Sequence, residues 1–115
     1  MTQHEIQERI YCAAIWYKGF NPKFSLGLRN PENITEGVVI LGHRHGDIIK
    51  NFGNLTGLRT VTNGENSCGE HVQGFLTNKN RFVDRKEAAD IAVQANQIID
   101  LGRFNQNHLY SEDIY

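Results

Sequence analysis

His71-Val72-Gln73-Gly74-Phe75-Leu76-Thr77, then Asn78-Lys79-Asn80, then Arg81-Phe82-Val83-Asp84-Arg85-Lys86-Glu87-Ala88 is the stretch that decides the fold. Residues 71–77 read as a strand, and residues 78–80 as a tight turn leading to Arg81, Phe82 and Val83. Asp84 with Glu87 three residues later forms a capping box, with Val83 in the staple position. From residue 85 to residue 98, Ala88, Ile91, Ala92, Ala95 and Ile98 recur at spacings of three and four. That is the apolar stripe of a helix, and its alanines permit close docking on a sheet.

Working outward, residues 9–18 are aromatic and β-branched and read as another strand, closed by Gly19. Residues 20–36, with Pro22, Gly27 and Pro31, read as a long loop. Val38-Val39-Ile40-Leu41 is apolar throughout and reads as a strand central in the sheet, ended by Gly42. A short helix follows, with Ile48, Ile49 and Phe52 on one face and Gly53 as its cap. Residues 53–70 hold four glycines and read as a mobile loop, with one short strand at 58–62, able to close over a ligand. Phe104, Leu109, Tyr110, Ile114 and Tyr115 give the polar tail too many anchors for a disordered segment. The expected architecture is therefore α+β: one domain over residues 1–115, with a small, mainly antiparallel sheet flanked by two helices.

Composition bounds the partners. Twelve Lys and Arg against thirteen Asp and Glu leave a net charge of −1, so no global field recruits long nucleic acid and any anion site must be local. A chain of 115 residues buries little surface per residue, which favours a homo-oligomer. Cys12 and Cys68 match no paired metal spacing, residues 1–5 carry no apolar signal core, and no apolar run is long enough to span a membrane. The chain therefore reads as cytoplasmic and reduced, and the glycosylation patterns at Asn33 and Asn54 read as chance matches.

The charges are placed unusually. Lys79, Arg81, Arg85 and Lys86 crowd the start of one helix, and His43-Arg44-His45 the start of the other. A helix N-terminus already exposes unpaired N–H groups and about half a positive charge, so cations there conflict with it unless an anion is present. A phosphate-bearing ligand would resolve both conflicts. His43, Arg44 and His45, at a strand-to-helix junction, suit phosphate or ribose contact better than a metal, whose third ligand would have to come from Cys68, His71 or His108 in no recognised spacing. Phe82, flanked by arginines, suits core packing or stacking on a base. Cys68 and His71 are the only hint of a nucleophile and base, Cys12 reads as inert packing, and Glu112 and Asp113 read as solubilising acids. No Walker loop, GxGxxG fingerprint or zinc ribbon is present.

Taken in order, Ala13-Ala14-Ile15, Gly42-His43-Arg44-His45 with Ile48-Ile49, Gln73-Gly74-Phe75-Leu76-Thr77, Asn80 to Arg85, Glu87-Ala88-Ala89, Ile91-Ala92 and Leu109-Tyr110-Ser111-Glu112-Asp113 resemble a family of small phage proteins. This is the first described family of Thoeris anti-defence proteins, sponges that sequester the cyclic ADP-ribose signals made by bacterial TIR-domain enzymes. The resemblance implies a non-enzymatic binder acting in the cytoplasm of the infected host, without cofactor, metal or catalytic residue. It further implies dimers or hexamers with nucleotide pockets near subunit boundaries. Its ligands would be cyclic ADP-ribose isomers, and also the cyclic di- or trinucleotides of CBASS defence. On matched positions it implies Phe82 as a base-stacking ring and Arg44, Arg81 and Arg85 as phosphate contacts. The full candidate ligand set is His43, Arg44, His45, Thr77, Asn80, Arg81, Phe82 and Arg85. The alternative reading is a small nucleotide-processing hydrolase using His43 or His45 as general acid or base.

Overall fold

The computed structural model describes residues 6–20 and 29–115. Strands β1 (Ile10–Tyr17), β2 (Val38–Gly42), β3 (His71–Thr77) and β4 (Phe82–Asp84) form one antiparallel sheet in the order β2-β1-β3-β4. Helix α1 (His45–Thr56) follows β2, and α2 (Arg85–Gln94) follows β4. The α+β architecture with two helices is the one the sequence predicts. Of the predicted loop at 20–36, residues 21–28 lie outside the described residues.

Side-chain alternation puts Ala13, Ile15 and Tyr17 of β1, Phe75 of β3 and Val83 of β4 on one face. Both helices pack there, α1 through Ile48 and Phe52 and α2 through Ala88, Ala89 and Ala92. The Phe52 ring stacks on Tyr17 at 3.9 Å. Gly42 permits the close approach of α1, and Gly74, on the opposite face, permits that of β4 and the Phe82 ring. A Cβ on Gly42 would lie 2.6 Å from Ile48 Cγ1, and one on Gly74 would lie 2.1 Å from the Val83 carbonyl oxygen.

Several boundaries differ from expectation. β2 is an edge strand, not a central one, and its Leu41 is 48% exposed. The centre belongs to β1 and β3, which are longer and carry apolar side chains on both faces. α1 runs through Gly53 and ends at Gly57, whose φ of 75° and N–H bond to the Gly53 carbonyl make the left-handed cap. α2 stops at Gln94, because Asn96 turns left-handed and Gln97 is drawn to β1. The capping box is half made: Asp84 Oδ1 accepts from the Glu87 N–H, but the Glu87 carboxylate turns to Arg81. Residues 57–70 hold a single bridge, Arg59 to Ser67, in place of a strand, and are tied to β1 through Tyr17 Oη and Thr60 Oγ1 at 2.9 Å.

Side-chain amides pair part of the free backbone of the sheet. Asn33 accepts from the Phe82 N–H at 2.8 Å and donates to the Phe82 carbonyl at 2.8 Å, as a fifth strand would. Asn30 does the same for the Val39 N–H of β2 and the carbonyl of Gly37 just before it, and Gln97 for both groups of Ile10. Each clip removes free groups that could otherwise pair with another strand. Asn30 and Asn33 belong to residues 29–36, which strap the face away from the helices, where the Trp16 indole donates to the Glu36 carbonyl.

Candidate functional site

α1 and α2 start at one level of the sheet. β2 ends at Gly42 opposite Ala13, and β4 ends at Asp84 opposite Gly74. Residues 109–115 lie over both starts as a second strap. Its Leu109 and Ser111 are buried, and Ser111–Asp113 forms a short 3₁₀ turn.

Two arginines hold this strap. Arg44, the residue preceding α1, donates to Glu112 Oε1 at 3.2 Å, Ser111 Oγ at 3.4 Å and the Tyr115 backbone oxygen at 3.1 Å. Its guanidinium also lies over the Tyr115 ring, 5.4 Å from the centroid. Arg85, at the first turn of α2, donates to the Leu109 carbonyl at 2.7 Å and to Gln73 Oε1 at 2.8 Å, and covers the Tyr110 ring at 5.0 Å. Burial lowers the Arg85 pKa without discharging it. Burial would raise the Glu112 carboxyl, but hydrogen bonds from its own N–H and Ser111, with the charge of Arg44, outweigh that and hold it below the usual range. The conflict read at the helix starts is therefore met in part from within the chain, by an acid the sequence reading assigned to solubility.

The two histidines diverge. His43 is exposed, its ring stacked on Tyr115 at 4.5 Å and its carbonyl accepting from the Tyr115 hydroxyl. His45 is 7% exposed, with Nε2 2.7 Å from the Gly74 carbonyl oxygen and its ring edge-on to Phe75. Burial lowers its pKa and keeps the ring neutral. A buried imidazole bonded to a strand carbonyl is placed for packing, not for acid–base exchange with a bound molecule.

Three other candidates are placed differently from the expected phosphate and base contacts. Arg81 binds Glu8 through two bonds of 2.9 Å and Glu87 through a third. Glu8 and then Glu87 push its pKa further up, and Arg81 chiefly holds the Glu8 carboxyl down. Arg81 and Arg85 thus do not share one phosphate position, because a strand and the start of a helix separate them and send them to different partners. Phe82 is 6% exposed and meets Trp16 edge-to-face at 6.0 Å, so the ring is packed, not open to a base. Thr77 is buried with its hydroxyl on Glu8 Oε2 at 2.7 Å.

Thr77 and Asn80 do meet at a second place, an open cleft of about 360 Å³ that also involves Tyr11, Leu76 and Asn78. The register shift between Ile10 and Cys12 accompanies a Tyr11 ring that is 70% exposed. Such a shift leaves no mark in the sequence, which is why Tyr11 escapes a reading by pattern. Cys68 Sγ lies 3.7 Å from His71 Nδ1, but that nitrogen is 3.0 Å from the Gly69 carbonyl oxygen, and burial pushes the thiol pKa up, away from a nucleophilic thiolate. Among the described residues no group of three His, Cys, Asp or Glu side chains could hold a metal ion, and no helix is long and apolar enough to cross a membrane.

Fold and site together define an α+β phage-protein domain whose cationic helix starts are closed by its own C-terminal strap. A family model described as phage T4 y16D protein matches residues 9–115, and the chain belongs to that family. No curated protein and no solved structure matches it.

Proposed function

We propose that this phage protein is a non-enzymatic binder that sequesters cyclic ADP-ribose-type nucleotides and so blunts TIR-based (Thoeris) defence, with cyclic di- or trinucleotides as a second ligand class. The observation that carries this reading is the junction under the C-terminal strap. Two guanidiniums from two helix starts are fixed there by neighbours, beside the Tyr110 ring and the His43–Tyr115 stack. Arginine forks take pyrophosphate oxygens in pairs, and aromatic faces take purine rings. A sequestering protein needs tight binding and no turnover, and preorganised donors serve that purpose. The protein acts as a homo-oligomer: Leu55, Ile99 and Leu101 are 86%, 66% and 71% exposed, large apolar side chains that a second copy would cover.

The test is capture. The protein is incubated with extract of TIR-activated cells, washed free of unbound material and heat-denatured, and the released molecules are examined by mass spectrometry. An intact cyclic ADP-ribose isomer is expected. A cleaved product would instead support the hydrolase reading, and an empty protein would remove the nucleotide role. Light scattering at micromolar concentration, giving a multiple of the chain mass, checks the oligomer.

A further inference from the structure

We infer that the cleft between Tyr11 and the turn at residues 78–80 is a binding site for one adenine mononucleotide, with the base on the Tyr11 ring and the phosphate on Arg9 and Lys79. The site is separate from the junction under the C-terminal strap, and stands or falls independently of it.

The cleft holds about 360 Å³, near the lower end of the roughly 300–1,000 Å³ of small-molecule sites, which suits one nucleotide and not a cyclic pair of them. Leu76, 9% exposed, gives it an apolar wall. Tyr11 lies at the register shift of β1, and its ring is 70% exposed. Shifts of this kind re-aim side chains and recur beside binding sites. A large ring that the fold leaves open beside an apolar wall presents a face on which a base can stack.

The polar groups at the cleft divide into engaged and open ones. Thr77 Oγ1 donates to Glu8 at 2.7 Å, and the Asn78 amide accepts from the Arg9 N–H and donates to the Gln7 carbonyl. Asn80 spends both backbone groups on the turn, its N–H on the Thr77 carbonyl and its carbonyl on the Glu32 N–H, and its carboxamide has no partner among the described residues. That amide offers a donor and an acceptor side by side, the pattern that the N6 amino group and ring nitrogen of adenine complement. Arg9 is tied to Asn78 through its backbone, and Ile10 beside it is buried, so Arg9 and Tyr11 leave the chain on the opposite side. Lys79 sits between the two asparagines, its N–H on Thr77 Oγ1. Both cations are exposed and make no ion pair among the described residues, while the acids nearby, Glu8 and Glu87, are already held by Arg81. An aromatic face, an open amide and two unpaired cations at the rim are the groups that a base and a single phosphate require.

The experiment titrates the full chain with adenosine 5′-monophosphate, guanosine 5′-monophosphate, adenosine and inorganic phosphate, and follows amide chemical shifts by NMR. The adenine nucleotide should bind most tightly and move the signals of residues 9–12 and 76–80. Tyr11→Ala should weaken it about ten-fold, the loss expected of a stacked base. Lys79→Gln should weaken it about three-fold and leave adenosine unchanged, as removal of one exposed charge contact does. Asn80→Gly, which keeps the left-handed turn at φ 58°, should abolish the preference over the guanine nucleotide. No shift at millimolar nucleotide, shifts confined to residues 109–115, or affinity unchanged in both Tyr11→Ala and Lys79→Gln would each overturn the site. So would a Tyr11→Ala variant that binds the nucleotide normally but loses mass in light scattering, since the ring would then be a contact between copies of the chain. Melting curves of the variants close to the parent keep the comparison free of folding effects, as expected for side chains this exposed.

Discussion

Two straps close this small sheet, and they are built from opposite chemistries. Residues 29–36 cross the face away from the helices and are fastened by neutral amides, Asn30 on β2 and Asn33 on β4, each making paired bonds to backbone. Residues 109–115 cross the helix starts and are fastened by Arg44 and Arg85. Amide-to-backbone bonds replace missing ladder bonds and are indifferent to salt. A guanidinium held partly by an exposed carboxylate is screened by salt and open to competition from any better anion. The first strap finishes the fold without charge, and the second depends on it.

The sharpest way to break this contrast is Asn33→Ala. It leaves both backbone groups of Phe82 without their partner at a part-buried edge, and should cost about 3 kcal/mol of folding stability, since each abandoned group costs roughly 1–3 kcal/mol. Urea unfolding should give the same loss at low and high salt. A loss near zero would show that water serves Phe82 as well as Asn33 does.

Arg85→Ala comes next. It strands the Leu109 carbonyl and Gln73, and removes packing over Tyr110, for about 2 kcal/mol. Amide exchange should speed up in residues 109–115 and not in residues 29–36. Equal loosening of both segments would merge the two straps into one cooperative unit.

Arg44→Gln should cost less, about 0.5–1 kcal/mol, because its ion pair with Glu112 is exposed. That difference should shrink toward zero near 1 M salt, where the screening length is about 3 Å. Persistence of the full loss in high salt would mean that the guanidinium acts by packing on Tyr115.

The smallest effect is a pH dependence confined to the second strap. His45 lies beneath it, faced by the Gly74 carbonyl, Arg85, Glu112 and His108, and its folded pKa is lowered, first by burial. The unfolded chain, with a histidine pKa of about 6.5, then binds the proton first as pH falls. The His45 contribution is present in full above that value and is lost as pH drops toward the lowered folded pKa. Melting curves across this window should show the loss in the parent and a flatter profile in His45→Gln.

Much of this was legible in the chain. Periodicity located β1, β3, the β3–β4 turn and α2, because alternating and helical patterns reflect which faces are buried. The crowding of cations at two helix starts was legible too, and pointed to a local anion. The partners of those cations were not. Arg81 and Arg85 stand four apart in sequence, yet one meets Glu8 and the other Leu109, residues 73 and 24 positions away. The edge position of β2 was hidden because a short apolar run reads the same at the centre or the margin of a sheet. The asparagines of residues 29–36 read only as loop formers, since a side-chain amide clip depends on where the loop passes.

By itself the sequence determined which segments alternate, which recur at helical spacing, where turns fall and where positive charge gathers, because those properties belong to neighbours along the chain. Strand order, the amide clips, the burial of His45 and Phe82 and the choice of Glu112 over Asp113 as the partner of Arg44 were decided only by the tertiary structure. Each depends on groups remote in sequence meeting within hydrogen-bond reach, and no local pattern encodes which distant partner will be there.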